Sequence, residues 1–205
     1  MIRSALLSHP VRFLSIAAFI LVAVDSPGTV HAAEWLGPSA IKASADGKSL
    51  YVACGDANQV LVVDAASGKV AGTVAVPAPP TSMALSPDGK LLYVTCAAPK
   101  STVAIVDTEK KAVADTIPAG HTATGIAVTP DNSKLYVCNR FNNEVAVFDR
   151  AAKKQIATIP VIREPHGAVC TPDGSTVFVI NHLSLDPADG FDVAAEVTVI
   201  NTADN

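Results

Sequence analysis

Side chains able to do chemistry are few in this chain. Beyond residue 32 there are three histidines, His121, His166 and His182. Imidazole titrates near neutrality and is a common metal ligand, so each is a candidate for ligand binding, metal binding or proton carriage. Arg140 follows "YVCN", and Arg163 and Glu164 lead into His166 in "REPH". A guanidinium recognises carboxylate or phosphate through paired hydrogen bonds. Asn181 immediately precedes His182. Asp186, Asp189 and Asp192 stand three apart in "LSLDPADGFDVAA", with Glu196 beyond. Carboxylate oxygens suit calcium, although the EF-hand pattern is absent. His166 and these aspartates are therefore the metal candidates. No nucleophile elbow, phosphate loop or paired-carboxylate motif accompanies them. No CxxC or CxxCH occurs, so neither a zinc knuckle nor a covalent haem site is expected, and no cofactor beyond a metal.

What positions these residues is an internal repeat. The turns "SADGKSLYV" (44–52), "SPDGKLLYV" (86–94), "TPDNSKLYV" (129–137) and "TPDGSTVFV" (171–179) place Asp46, Asp88, Asp131 and Asp173 at separations of 42, 43 and 42. "VLVVD", "VAIVD", "VAVFD" and "VTVIN" follow them, and "AIKAS", "SMALS", "GIAVT" and "GAVCT" precede them. A further phrase, "VAGTVAV", "VADTIPA" and "QIATIPV", occurs three times. Runs of about five residues rich in Val, Ile and Tyr, punctuated by turn residues, are strand chemistry. Pro-Asp-Gly suits a tight turn that needs positive φ. Four antiparallel strands per unit, repeated, make a β-propeller blade. The expected fold is thus an all-β propeller, with blades near 37–78, 79–120, 121–163 and 164–205. The terminal Asp64, Asp107, Asp149 and Asn201 are explained by Asx turns.

If the first strand of each blade lines the channel, one pole collects the connections between blades and the loops after each second strand. The departures from the repeat fall there. Seven residues before each turn aspartate stand Ser39, Thr81, Thr124 and then His166. Four residues after each strand aromatic stand Gly55, Ala97, Arg140 and His182. His121 lies in an inter-blade connection. The interval from aromatic to third strand is 9, 10 and 9 residues, then 19 in the last unit, which makes the extra segment a candidate lid or docking loop. A ligand or protein partner is expected at this pole, held by His166, Arg140, His182, His121, Arg163 and Asn181.

The wording of the unit, "SPDGKLLYVTC...STVAIVDTEKKAVADTI", resembles the YVTN-type β-propeller repeat, whose signature stands here as "YVAC", "YVTC", "YVCN" and "FVIN". The resemblance covers roughly residues 39–201 and implies an exported or surface binding propeller, in rings of about seven blades. Asn139 and Asn181 keep the signature's final asparagine, which is expected to hydrogen-bond the following turn, while Cys54 and Cys96 replace it. "NHLSLDPADGFDVAAEVTVINT" is similar to exported propellers that continue into a c-type dihaem, peroxidase-like domain, which implies a redox alternative. Similar seven-blade propellers include lactone hydrolases, a second alternative.

The rest of the sequence sets bounds. Arg3 and Arg12, the apolar run "FLSIAAFILVAV" (13–24) and the small residues Val30 and Ala32 read as a signal peptide, residues 1–32, too short to span a membrane comfortably. An uncleaved anchor is the alternative. The expected location is periplasmic, cell-surface or secreted. Cleavage leaves 13 basic and 18 acidic residues, a formal −5, which argues against nucleic acid or anionic membrane as main partners. Cys54, Cys96, Cys138 and Cys170 track the repeat and read as small buried residues, with a disulfide permitted by export. The fourth blade has three strands, so about 3.75 blades are expected: an open piece of a seven-blade ring, lacking the remaining blades as partners, rather than a closed four-blade ring. An uncovered blade face of about 500 Å² forfeits on the order of 12 kcal/mol at ~25 cal/mol/Å². Self-association is therefore expected.

Overall fold

The computed structural model describes residues 35–184 and 196–205. The proposed leader, residues 1–32, and Asp186, Asp189 and Asp192 lie outside the described residues. Among these, fifteen strands form four antiparallel sheets. Blade 1 runs β1 (Pro38–Ala43), β2 (Ser49–Cys54), β3 (Gln59–Asp64) and β4 (Val70–Ala75). Blade 2 runs β5 (Pro80–Leu85), β6 (Leu91–Cys96), β7 (Thr102–Asp107) and β8 (Ala112–Pro118). Blade 3 runs β9 (Ala123–Val128), β10 (Lys134–Asn139), β11 (Glu144–Asp149) and β12 (Lys154–Pro160). Blade 4 has β13 (Arg163–Cys170), β14 (Thr176–Leu183) and β15 (Val197–Asn201). Each sheet is ordered as the chain runs. The chain is an all-β propeller.

The first strands of successive blades pack on one another, β1 on β5, β5 on β9 and β9 on β13. They line a central groove of about 240 Å³, bordered by Lys42, Met83, Ile126, Ala127, Ala168 and Val169 among others. The inner position expected for "GIAVT" is therefore the observed one. Between blades the core is a stack of three apolar seams. Tyr51, Val60 and Val62 face Leu92, Val94 and Val106. Tyr93 and Ile105 face Leu135, Val137 and Phe148. Tyr136, Val145 and Val147 face Val177, Val179 and Ile200. Alternation along each strand sends one set of side chains forward and the other back.

The turn aspartates hold the first hairpin of every blade. Ser44 Oγ donates to Asp46 Oδ1 (2.7 Å), Ser86 Oγ to Asp88 Oδ1 (2.6 Å) and Thr171 Oγ1 to Asp173 Oδ1 (2.5 Å). The backbone N–H two residues on donates to the same oxygen in all four turns. Gly47, Gly89 and Gly174 carry the positive φ these turns need.

A second device repeats with the same period. Ser39 Oγ donates to the Pro80 carbonyl (2.6 Å), Thr81 Oγ1 to Ala123 (2.7 Å) and Thr124 Oγ1 to Pro165 (2.8 Å). Each hydroxyl pins its blade to the next at the channel mouth. His166 occupies the fourth such position, so its departure from Ser/Thr/Thr falls where the next blade would attach. The four cysteines are free thiols: Cys54, Cys96 and Cys138 buried, Cys170 half-buried. No described helix is long and apolar enough to cross a membrane.

Candidate functional site

Blades 3 and 4 meet at the pole predicted to carry function. After β10 the chain makes one 3-10 turn, Arg140–Asn142, closed by Asn143 in the left-handed region. This turn aims Arg140 across the seam. Its Nε donates to Glu164 Oε2 at 2.9 Å and its Nη2 to the same oxygen at 2.5 Å. His182, at the end of β14, brings Nδ1 to 3.5 Å from that oxygen and to 3.3 Å from Arg140 Nη2. The His166 ring lies 5.8 Å from the His182 ring, centroid to centroid. On the other side the Arg140 guanidinium lies over Phe141, 5.1 Å from its centroid, and His121 meets Phe141 edge-on at 5.2 Å. His121, Phe141, Arg140, Glu164, His182 and His166 thus form one continuous chain of side chains across two blades.

The backbone beneath it is specialised. Glu164 and Thr122 have φ near +54° and +55°, at equivalent places in the repeat, and Gly37 holds φ +52° at the same place in blade 1. For a residue with a side chain this conformation costs roughly 1 kcal/mol, and such strain gathers at functional sites. It is offset by side-chain amides: Glu164 N–H donates to Asn143 Oδ1 (2.9 Å) and His121 N–H to Asn142 Oδ1 (2.6 Å). Gly125 and Gly167 let β9 and β13 approach directly below. A Cβ on Gly125 would lie 2.8 Å from Gly167 Cα and from the His166 carbonyl.

Charge is arranged in a definite way. The Arg140 hydrogen bonds hold the Glu164 carboxyl below its ordinary range, so it is ionised at neutral pH. Burial, then the neighbouring His182 and Arg140, push the His166 imidazole below its ordinary range, so its neutral form dominates at neutral pH. The cluster therefore offers an ion pair, an imidazole lone pair and the exposed Phe141 ring. Among the described residues no three His, Cys, Asp or Glu side chains converge as a metal site.

The structure gathers Arg140, His182, His166 and His121. Arg163 begins β13 on the surface, with no ion pair among the described residues. Asn181 is buried beneath the pole, donating to the Glu196 carbonyl (3.1 Å) and Thr198 Oγ1 (2.9 Å), while its Oδ1 has no hydrogen-bond partner among the described residues. Asn139 shows the signature asparagine's use, which differs from a bond to the following turn alone. Its Oδ1 accepts from Gly120 N–H (3.1 Å), in the preceding connection, and its amide donates to Glu144 Oε1 (2.9 Å). Phe141 belongs to no motif, and its sequence signal is an aromatic in a loop of an aromatic-poor chain. A surface furrow of about 430 Å³ lies at the opposite pole around Asp131, Lys134, Asp173 and Thr202. Similar furrows recur around the turns of blades 1 and 2, so they belong to the repeat rather than to a site.

A family model described as lactonase, 7-bladed beta-propeller matches residues 100–193, which include the whole cluster. Among solved structures the chain is similar to Kuenenia stuttgartiensis hydrazine synthase, at 28% identity and a TM-score of 0.73. The match covers 87% of this chain and 50% of that one, so this chain spans half its length. No curated protein matches the sequence.

Proposed function

We propose that the chain is the propeller part of an exported binding protein that holds a polar ligand or partner loop at the histidine pole of blades 3 and 4. The observation that carries this reading is the Arg140–Glu164 pair, which crosses the seam with His182 beside it and His166 next to His182. Glu164 fixes one edge of the guanidinium and Phe141 supports its face, leaving Arg140 preorganised for a bound anion or carbonyl. His166 and His182 add hydrogen-bonding nitrogens, and export rests on the leader sequence. A titration with inorganic phosphate, and separately with Ni²⁺, followed by imidazole NMR shifts of His121, His166 and His182, tests this. Saturable shifts for at least one probe, weakened tenfold or more by R140A or H166A, are expected. The absence of saturable shifts for both probes would overturn the reading.

A second reading is lactone hydrolysis, favoured by the family-model match over 100–193. Neutral His166 would take a proton from water as its oxygen attacks the lactone carbonyl. Arg140 would stabilise the oxyanion, and as the ring C–O bond breaks the imidazolium would pass its proton to the leaving alkoxide, giving a hydroxy acid and neutral His166. Acid release from δ-gluconolactone above background, abolished in H166A, is expected; no turnover dismisses it. A redox role, in which this part docks an electron-transfer module, draws on the hydrazine synthase likeness. It requires a haem-bearing partner that binds the wild-type chain and not R140A, and a pull-down showing equal recovery would remove it.

A further inference from the structure

Blade 4 departs from the repeat at three positions, and the three departures meet. His166 stands in the series Ser39, Thr81, Thr124; His182 in the series Gly55, Ala97, Arg140; and Glu164 in the series Gly37, Pro79, Thr122. At these positions only blade 4 carries an imidazole or a carboxylate. Strands β13 and β14 bring them to one end of the sheet, where Pro165 pairs with Asn181 and Arg163 with Leu183. There the His166 and His182 rings lie 5.8 Å apart, centroid to centroid, tilted by 37°. His182 Nδ1 lies 3.5 Å from Glu164 Oε2. Arg140 donates to that same oxygen through Nε at 2.9 Å and Nη2 at 2.5 Å, which fixes the carboxylate in place. The 3.3 Å between Arg140 Nη2 and His182 Nδ1 is then that of two donors sharing one acceptor. Below them, Glu164 holds φ +54°, its N–H donating to Asn143 Oδ1 at 2.9 Å.

We infer that His166 and His182 together bind one divalent transition-metal ion, of the zinc, copper or nickel class, with Glu164 as the positioning carboxylate behind His182. Zinc sits about 2.1 Å from an imidazole nitrogen, and the ring centre lies about 1.1 Å behind that nitrogen, so two rings on one tetrahedral ion have centroids about 5.2 Å apart and never more than ~6.4 Å. The observed 5.8 Å falls inside that window. A metal-bound histidine almost always donates its other ring N–H to a carboxylate, carbonyl or water, which fixes the tautomer and raises the basicity of the ligating nitrogen. With its proton on Nδ1, facing Glu164, His182 keeps the Nε2 lone pair for the ion. Imidazole suits these borderline ions, whereas calcium and magnesium take oxygen ligands. Two protein ligands leave coordination positions open, so the ion can accept water or an oxyanion beside Arg140. This inference rests on the ligand-binding reading, since the pole is the same and only the class of ligand is added. It uses side chains of blades 3 and 4 alone.

The test is a Zn²⁺ titration of the full chain, followed by the imidazole nitrogen shifts of its histidines, with circular dichroism to check that each variant is folded. His166 and His182 should shift together and saturate at one ion per chain, while His121 stays unmoved, and Ca²⁺ should shift none of them. H166A and H182A should each weaken binding at least tenfold. The double variant H166A/H182A should lose at most about twofold more than either single, because either change already breaks the chelate. E164Q should weaken binding by about 10–100-fold, as loss of an orienting carboxylate does, although it removes no ligand of the ion. No saturable Zn²⁺ response, a response of one imidazole alone, or E164Q binding as tightly as the native chain would overturn the inference. Phosphate shifts weakened by R140A, with no Zn²⁺ response, would remove the metal and leave the ligand-binding reading standing. Silence to phosphate, Ni²⁺ and Zn²⁺ alike would remove both.

Discussion

Blades 3 and 4 are built from nearly the same words and end in different states. In β10 the residues Leu135, Tyr136, Val137 and Cys138 are all buried. In β14 their counterparts alternate: Val177 and Val179 are buried, while Phe178 and Ile180 are exposed. β11 is buried from Val145 to Phe148, whereas β15 exposes Val197 and Val199 and buries Ile200. Nothing in the strand residues explains this, since both carry apolar side chains on both faces. The difference is the neighbour. A propeller strand encodes two half-interfaces, and burial belongs to the pair of blades rather than to the strand.

The largest effects separate the two blades by stability. Tyr136 is fully buried and its hydroxyl donates to Asn205 Oδ1 (2.8 Å). Y136A should cost about 3–5 kcal/mol, as large-to-small core changes do. F178A, at the equivalent position, should cost no more than ~1 kcal/mol in the monomer. Chemical denaturation of both variants measures this, and equal losses would erase the distinction between the blades.

Next comes the close approach of the two blades themselves. G125A introduces a Cβ at 2.8 Å from Gly167 Cα and the His166 carbonyl. It should destabilise by roughly 1–3 kcal/mol, as overpacking does, and alter the His166 imidazole shifts. An unshifted His166 spectrum would mean that this approach does not position the pole. A smaller difference concerns the hydroxyl pins. T124V loses a bond to the Pro165 carbonyl and should cost about 1 kcal/mol. H166A, at the fourth and unattached position, should leave monomer stability within ~0.5 kcal/mol. The two melting curves decide it.

The smallest contrast should be none at all. Asp46, Asp88, Asp131 and Asp173 are held below the ordinary carboxylate range, first of all by hydrogen bonds from Ser44, Ser86, Thr129 and Thr171. A carboxylate with a depressed folded pKa adds stability that is fully present above its unfolded pKa of ~3.9 and is lost as pH falls through the folded value. D88N and D173N should therefore destabilise alike at neutral pH, and both differences should vanish in acid. A neutral-pH penalty confined to one blade would show that the turns are not equivalent.

How much of this could be read from the sequence follows from the range of each interaction. The strands, the turn aspartates and the inner position of "GIAVT" were legible because they repeat with a fixed period and obey local rules. The gathering of His121, Arg140, His166 and His182 at one pole followed from topology alone. The hydroxyl pins were not legible. Ser39, Thr81 and Thr124 act on backbone carbonyls about one repeat away, and a carbonyl leaves no mark in a sequence. For the same reason His166 looked like a departure toward function when it is also a position at an unjoined seam. Arg140 reaching Glu164 depends on the left-handed backbone at Glu164, where no glycine advertises it. Phe141 joins the cluster only through ring geometry.

The central claim is that the two blades differ in cover and not in kind, and native Cys138 gives a direct comparison. It is buried, its thiol pushed up to about 12 by burial, and Ile180 holds the same place in the next blade. In the I180C variant, with C170S to remove the half-buried thiol, iodoacetamide labelling in dilute monomeric solution should modify the new thiol rapidly and leave Cys138 unreacted until unfolding. A new thiol as slow to react as Cys138 would contradict the account.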